Sequence, residues 1–195
     1  MNRELKEMHE EDRFRYFNNG SRPVLYKWRM PGLKYTSVLR NAQFYKQKNS
    51  RIRYFISEIR IRVYTSRYLI QIPTSTKIGR GLYIQHLGSL IVHPNAVIGD
   101  NVNLSNGVTI GQTNRGPGKG SPTIGNKVWI GTNAVVVGRI NIGNNVLIAP
   151  NAYVNMDVPS NSIVIGNPAK IIPNEHATAG YIHNVVMTTK EDSTT

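Results

Sequence analysis

Large aliphatic residues recur every six positions through the second half of the chain. An α-helix repeats every 3.6 residues and an ordinary strand every 2, so a period of six fits neither element. It fits a three-sided prism in which each side is one short strand, each corner is a turn, and the aliphatic side chains stack inside. The aliphatic positions are Ile72, Ile78, Ile84, Val92, Ile98, Leu104, Ile110, Ile124, Ile130, Val136, Ile142, Ile148 and Val154.

The residues around these aliphatics favour the same architecture. Glycine or alanine often follows the aliphatic residue, and a small or β-branched residue often stands four places after it. Asparagine and glycine at the corners tolerate left-handed backbone angles. At about 18 residues per coil, residues 72–166 predict an all-β-dominated parallel β-helix of about five coils.

Two insertions break the register of six. The step from Ile84 to Val92 is eight residues, and the step from Ile110 to Ile124 is fourteen. The longer insertion is polar and rich in Gly and Pro, so residues 111–123 are predicted to project as a loop. Insertions in solenoids often cluster on a binding face, which makes both breaks candidate functional positions.

Residues 1–71 are predicted to form a short α-helical segment before the prism, with helices over residues 32–48 and 50–68. In the second helix the apolar residues follow helical spacing, Ser50 is the expected N-cap, and arginines occupy the other face. The apolar positions are Ile52, Phe55, Ile56, Ile59 and Val63, and the arginines are Arg51, Arg53, Arg60, Arg62 and Arg67.

The net charge of +13 is concentrated in this N-terminal segment. Residues 13–71 hold fourteen Lys and Arg against one acid, Glu58, whereas residues 1–12 are net acidic. Such segments can bind nucleic acid or an anionic membrane surface. No nucleic-acid-binding motif accompanies the charge, so we expect no nucleic acid partner and take an anionic membrane surface as the candidate partner.

The composition excludes several kinds of site. The chain contains no cysteine, which rules out disulfides, a thiolate nucleophile and a cysteine-ligated metal. No third ligand is spaced to join His86 and His93, so no metal is expected. The charged N-terminus and the lack of a run of about 20 apolar residues predict a cytoplasmic location, with peripheral attachment to the inner face of the membrane as an option. Residues 167–195 are expected to form a C-terminal extension that ends in a disordered tail, 188–195.

The stretch from Ile72 to Ile172 resembles the hexapeptide-repeat acyltransferases. It is most similar to their serine O-acetyltransferase branch, and within it to the smaller proteins of capsule and exopolysaccharide acetylation. The resemblance implies a left-handed β-helix, a homotrimer with active sites between neighbouring prisms, acetyl-coenzyme A as acyl donor, and direct transfer to a hydroxyl with a histidine as general base. It is carried by IGRGLYIQH at 78–86, NGVTIG at 106–111, VWIGTNAVVVG at 128–138 and GNPAKII at 166–172.

The chain departs from the pattern of the serine enzymes that it resembles. Those enzymes carry an aspartate just before the catalytic histidine, where this chain has Gln85, and a second histidine at the end of the loop, at about Ser121 here. They also have a larger helical region than residues 1–71. The predicted acceptor is therefore a sugar hydroxyl of a polysaccharide or glycan precursor. Serine, as in cysteine biosynthesis, is one alternative, and a basic membrane- or anion-binding module without catalysis is another.

His86 is the candidate general base. The ordinary pKa of histidine lies near working pH, and the two-residue break after Ile84 allows a side chain to leave the stacked core. A corner histidine bonded to local backbone is the structural alternative. Asn106 is the second catalytic candidate, as a hydrogen-bonding partner of the acceptor or thioester. Asp100 can orient the imidazole, although a role in a corner turn is favoured.

The donor groove is expected to be lined by small residues that let a pantetheine arm approach the backbone. Lysine and arginine side chains near it can bind phosphates or an anionic acceptor as point charges. The predicted residues for coenzyme A are Gly111, Gly131, Thr132, Ala149 and Lys170, and those for the acceptor are Gln85, Arg115 and Lys119.

Overall fold

In the computed structural model, which describes residues 2–17 and 30–187, three helices pack against the first coils of a solenoid of short strands. The predicted disordered tail, 188–195, lies outside the described residues. The helices are α1 (Arg3–Phe17), α2 (Pro31–Gln47) and α3 (Arg51–Tyr68). The two helices that the sequence predicts correspond to α2 and α3, and α1 was not predicted because its charged residues form no apolar stripe.

The strands are two to four residues long. They are β1 (Ile70–Gln71), β2 (Lys77–Ile78), β3 (Tyr83–Ile84), β4 (Leu90–Val92), β5 (Val97–Ile98), β6 (Asn103–Leu104), β7 (Thr109–Gly111), β8 (Thr123–Ile124), β9 (Val128–Ile130), β10 (Val135–Val137), β11 (Asn141–Ile142), β12 (Val146–Ile148), β13 (Tyr153–Val154), β14 (Ser162–Ile165) and β15 (Lys170–Pro173).

Three parallel sheets form the walls of the solenoid. Face A contains β1, β4, β7, β10 and β13, face B contains β2, β5, β8 and β11, and face C contains β3, β6, β9, β12 and β14. The chain passes from A to B to C in each coil, and β15 then turns back to pair antiparallel with β14. The predicted left-handed parallel β-helix of about five coils is confirmed.

The six-residue period corresponds to the inward stack. On face C, Ile84 pairs with Leu104, and Ile130 and Ile148 follow in the same row. Twelve of the thirteen predicted aliphatics are buried, and the thirteenth, Ile78, is half-buried. The last coil contains a break that the sequence did not reveal, because Val158 follows Val154 after only four residues and bridges to Ile142.

The corner between faces B and C is held by a ladder of side chains. In each coil a polar side chain accepts a hydrogen bond from a backbone N–H of the coil before it, so consecutive coils are joined outside the sheets as well as within them. The bonds run from Arg80 N to Asp100 Oδ1 (2.6 Å), from Asp100 N to Asn126 Oδ1 (2.8 Å), from Asn126 N to Asn144 Oδ1 (2.7 Å) and from Asn144 N to Ser160 Oγ (2.9 Å). Asp100 is therefore part of this corner ladder.

Asparagines adopt left-handed backbone angles at two of the three corners. Asn101, Asn145 and Asn161 have φ of 57°, 52° and 59° at the corner between faces B and C, and Asn133 and Asn151 have φ of 59° and 60° at the corner between faces C and A. Asparagine tolerates this region better than most residues with a side chain. The predicted role of asparagine at the corners is thus observed at these positions.

A buried ion pair fixes α1 and α2 to the first coil. Arg40 Nε donates to Asp12 Oδ2 at 2.8 Å, and both side chains are only 2% exposed. Arg40 also donates to the carbonyl of Gly79 at 2.6 Å, and the backbone N–H of Leu82 donates to Asp12 Oδ1 at 2.9 Å. The pair therefore joins two helices to the edge of the solenoid.

Helix α3 packs through a different face from the one that its apolar pattern suggests. Ser57, Ile61 and Tyr68 are buried, while the apolar stripe from Ile52 to Val63 is exposed. Ser50 occupies the N-cap position, but its side chain makes no capping hydrogen bond.

Replacing Asp12 tests the buried pair. Asp12→Asn leaves the Arg40 guanidinium buried without a counter-charge, so we expect the free energy of unfolding to fall by about 3–5 kcal/mol. Urea denaturation followed by circular dichroism measures the change. The matched control is Glu11→Gln, which removes the more exposed ion pair with Arg80 and should cost less than about 1 kcal/mol. Equal losses in the two variants would contradict the structural role of the buried pair.

Candidate functional site

His86 lies on the corner that joins face C to face A in the first coil, which we call the C–A corner. Across this corner the step between inward aliphatics, from Ile84 to Val92, is eight residues, whereas the same step in the later coils is six, from Leu104 to Ile110, Ile130 to Val136 and Ile148 to Val154. The two additional residues form a bulge on which Gln85 and His86 are both exposed. The break in the six-residue period thus corresponds to a local widening of one corner.

Candidate residues from three later coils lie along the same corner. Asn106 is in the second coil, Thr132 in the third and Ala149 in the fourth, and each is partly exposed. Thr132 Oγ1 donates to Asn106 Oδ1 at 3.1 Å. A side chain at Gly88 would begin 3.5 Å from the Cβ of Asn106, so the bulge directly adjoins Asn106. Strands in neighbouring coils are about 4.8 Å apart, and the C–A corner therefore presents His86, Asn106 and Thr132 in a row.

The bulge is anchored at its base, next to the end of α3. The backbone N–H of Gly88 donates to Tyr68 O at 3.3 Å, and that of Leu90 donates to Leu69 O at 3.0 Å. Within residues 2–17 and 30–187, no hydrogen bond to the imidazole of His86 is present. Asp100, the candidate for orienting this ring, lies on the B–C corner and already accepts a backbone hydrogen bond.

The two glycines predicted to line the donor groove differ in their surroundings. Gly131 is buried, and a Cβ there would lie 2.7 Å from the backbone nitrogen of Pro150 and 2.8 Å from Cζ3 of Trp129. This close packing between coils is enough to require glycine. Gly111 is half-buried at the end of β7, where a Cβ would lie 3.2 Å from Val137 Cγ1 and 3.8 Å from Thr109 Cγ2.

The projecting loop leaves the solenoid at the corner between faces A and B, which we call the A–B corner. Its base is closed by two backbone hydrogen bonds of 3.0 Å between Thr113 and Gly120. Ser121 Oγ lies 2.9 Å from Nδ1 of His93, which also accepts the N–H of Asn95 at 3.2 Å. Because a backbone N–H donates to Nδ1, the Ser121 hydroxyl is the donor in its own bond to His93.

The predicted basic residues lie on two different edges. Arg115 and Lys119 are exposed on the loop at the A–B corner. Lys170 is exposed in β15, where it pairs with Ile165 at the end of the last face C strand. Lys170 thus extends the row of the C–A corner, while Arg115 and Lys119 are separated from His86 of the same prism by face A.

A cavity of about 340 Å³ borders Gln85, and its lining includes Arg15 and Tyr181, which the sequence did not single out. Tyr83 and Trp129 project into it from face C, and Tyr181 packs on Trp129 with ring centroids 4.8 Å apart. Arg15 donates to Gly81 O at 3.1 Å and also bonds the carbonyl of His183 and the side chain of Asn103. Burial lowers the pKa of Arg15 to about 10. No short sequence motif could have linked Arg15 to Tyr181, because they are brought together only by the fold.

Two kinds of site are absent from residues 2–17 and 30–187. No group of three or more His, Asp or Glu side chains is arranged to hold a metal ion there. None of the helices described has the length and apolar character that are needed to cross a membrane.

Comparison with known proteins identifies the repeat. Residues 121–155 match the family described as bacterial transferase hexapeptide (six repeats). A serine acetyltransferase of Helicobacter pylori is 42% identical over 106 residues, which cover 54% of this chain and 62% of that protein. The chain thus spans less than two thirds of that relative.

The solved structures extend the similarity beyond the repeat. The crystal structure of a serine acetyltransferase from Brucella abortus has a TM-score of 0.71 and 29% identity, over 88% of this chain and 69% of that one. A structure of the Brucella abortus enzyme in complex with coenzyme A has a TM-score of 0.70 and 29% identity, over 87% and 66% of the two chains.

Gly131 and Gly111 give a matched test of how closely neighbouring coils pack. Gly131→Ala forces a methyl group against Pro150 and Trp129, so we expect a loss of about 1–3 kcal/mol in the free energy of unfolding. Gly111→Ala meets a single methyl group of Val137, which can move, and should cost less than about 1 kcal/mol. Urea denaturation of both variants checks the difference. A loss at Gly111 as large as that at Gly131 would show that the two packing environments have been misjudged.

Proposed function

We propose that this chain is an acyltransferase that moves an acetyl group from acetyl-coenzyme A to a hydroxyl, with His86 as the general base. The observation that carries the proposal is the row of His86, Asn106 and Thr132 on the C–A corner, in a solenoid similar to that of serine acetyltransferases. One of those neighbours is a complex with coenzyme A. From the second coil to the fourth, the corner carries only small or polar side chains and one proline, which fits a slender pantetheine arm.

In this mechanism His86 accepts the proton of the acceptor hydroxyl while the oxygen attacks the thioester carbonyl. The protonated imidazole then returns the proton to the departing thiolate, so the products are the acetyl ester and free coenzyme A. A positioned base of this kind typically contributes 10²–10⁴-fold to the rate. Asn106 and Thr132 lie next along the corner and can hydrogen-bond the acceptor or the thioester.

A homotrimer would complete the site. His86 and the loop residues Arg115 and Lys119 lie on different edges of one prism, so one site can use both edges only if a neighbouring copy supplies one of them. We infer that the C–A corner of each copy faces the loop of the next, with Arg115 and Lys119 toward the acceptor. Lys170, farther along the corner, is suited to a phosphate of coenzyme A because its charge is exposed.

Serine is the acceptor that the comparisons favour, because the relatives are named serine acetyltransferases. The predicted sugar acceptor finds no support in these names. Two observations keep it as a second candidate: Gln85 beside the base is neutral, and the Ser121 hydroxyl is already hydrogen-bonded to His93. An amino acid brings an ammonium group that a carboxylate would bind better than an amide does.

Replacing His86 tests the chemistry. His86→Ala should lower kcat with acetyl-coenzyme A and the active acceptor by about 10²–10⁴-fold, because the hydroxyl loses its base. Thiol release measures the rate, and light scattering after gel filtration shows whether the oligomer is unchanged. His176→Ala, at an exposed histidine outside the solenoid, is the control and should retain full activity. A loss below about threefold in His86→Ala would refute the assigned role.

Assays of the wild-type protein with a panel of candidate acceptors identify the acceptor. Free serine, other amino acids and a series of sugars are each supplied with acetyl-coenzyme A, and thiol release above the acceptor-free rate is measured. Activity confined to serine supports the first acceptor, and activity confined to sugars supports the second. Failure of every acceptor, together with no binding of coenzyme A, would favour the binding module without catalysis.

A further inference from the structure

The outward side of α3 exposes a continuous apolar stripe. Its five large side chains are between 49% and 76% exposed, which is unusual for isoleucine, phenylalanine and valine in one helix. They span about 17 Å along the helix axis at 1.5 Å per residue. The stripe consists of Ile52 (76%), Phe55 (65%), Ile56 (51%), Ile59 (49%) and Val63 (57%).

The stripe lies directly opposite the side by which α3 is held. At 100° per residue, Ser57, Ile61 and Tyr68 fall on one side of the helix and the stripe falls on the other. The first three are buried, and α3 packs mainly against α2. Removing the stripe from water would therefore not compete with any contact that holds the helix in place.

Arginines line both edges of the stripe. Arg51 and Arg62 fall on one edge, and Arg53, Arg60 and Arg67 on the other, and all five are exposed. None of them pairs with a carboxylate in the described part of the chain. Arg53 and Arg67 stack on the rings of Tyr45 and Tyr68. The charged ends of Arg51, Arg60 and Arg62 can extend past the apolar residues toward an anionic surface.

The single acid of α3 lies at one edge of the stripe. Glu58 borders a groove together with Phe55, Ile59 and Arg62. It is partly buried, and its Oε1 is enclosed without a hydrogen-bond partner. Five exposed arginines against this one partly buried carboxylate leave the outward side of α3 with a net positive charge.

We propose that this outward side of α3 binds an anionic phospholipid surface, with the stripe in the headgroup region and the arginines on lipid phosphates. A helix that combines an apolar stripe with basic edges is suited to lie in the plane of a membrane interface. Each arginine near such a surface adds to the attraction, and salt weakens it. The inference is independent of the proposed acetyl transfer.

The positive charge of α3 argues against two other occupants of the stripe, namely a second copy of the chain and residues 18–29. Stripe-to-stripe packing of two copies would bring the arginine edges together with only the partly buried Glu58 of each copy to offset them. Residues 18–29 of the same chain contain Arg22, Lys27 and Arg29 and no acid, so they cannot neutralise the surface either. An anionic bilayer supplies both the apolar region and the negative charge.

Vesicle sedimentation of the full chain tests the proposal. At low salt the wild-type protein should bind vesicles of equal parts phosphatidylglycerol and phosphatidylcholine, and it should bind pure phosphatidylcholine far less. Phe55→Ser with Ile59→Ser, and separately Arg60→Gln with Arg62→Gln, should each weaken binding about tenfold or more. The charge-matched control, Lys77→Gln with Arg139→Gln, alters exposed residues of the solenoid and should bind like wild type. Equal loss in this control, or no loss in either α3 variant, would overturn the proposal.

A fluorescence measurement separates the lipid from other occupants. An environment-sensitive fluorophore is attached at Ile56→Cys, which provides the only cysteine of the chain. We expect emission typical of water in buffer and a blue shift when anionic vesicles are added. A blue shift already present in buffer would overturn the proposal, because the stripe would then be covered by another copy or by another part of the chain. Thermal unfolding of each variant confirms that the fold is retained.

Discussion

The stacking of aliphatic side chains from coil to coil is the interaction on which the rest of this structure depends. A single coil cannot bury its inner side, so the core exists only while each coil places an aliphatic residue over the one below. Any residue added within a strand would turn the inward position outward. Added residues are tolerated only at the corners, where the backbone can leave the stack. The two insertions of this chain are both at corners, one carrying Gln85 and His86 and the other carrying Arg115 and Lys119.

This constraint explains why so much of the fold was predictable. The period of six identified the walls, and the asparagines and glycines identified many of the corners. Val158 was missed because the last A–B corner is shortened, and a shortened corner leaves no polar insertion to be noticed. The ladder from Asp100 to Ser160 was missed as well, because these side chains meet across coils that are 16 to 26 residues apart in sequence.

The candidate site was predictable in its residues but not in its arrangement. Spacing alone singled out the break that holds His86, and the structure shows that the break widens one corner beside Asn106. Spacing could not show that the loop leaves from a different corner. It also could not show that packing accounts for Gly131, or that Arg15 and Tyr181 border a cavity next to Gln85, because those contacts join segments far apart in the chain.

Helix α3 shows a feature that helical spacing predicted incorrectly, namely which side of the helix is buried. Its apolar residues recur with helical spacing, yet the helix packs through Tyr68, Ile61 and Ser57 and leaves the more apolar side exposed. A periodic stripe shows that a helix is amphipathic, but not which partner covers it. Here the C-terminal end of α3 is bonded to the bulge that carries His86, through Tyr68 and Gly88. A surface bound by α3 would thus lie close to the first coil.

The most direct test of the central claim is a crystal structure of the assembled protein with coenzyme A. The account predicts that coenzyme A lies along the C–A corner between two copies, with its sulfur or a bridging acceptor within about 3 Å of the His86 ring. Coenzyme A bound along another corner, or an imidazole that faces open solvent in the assembly, would contradict it.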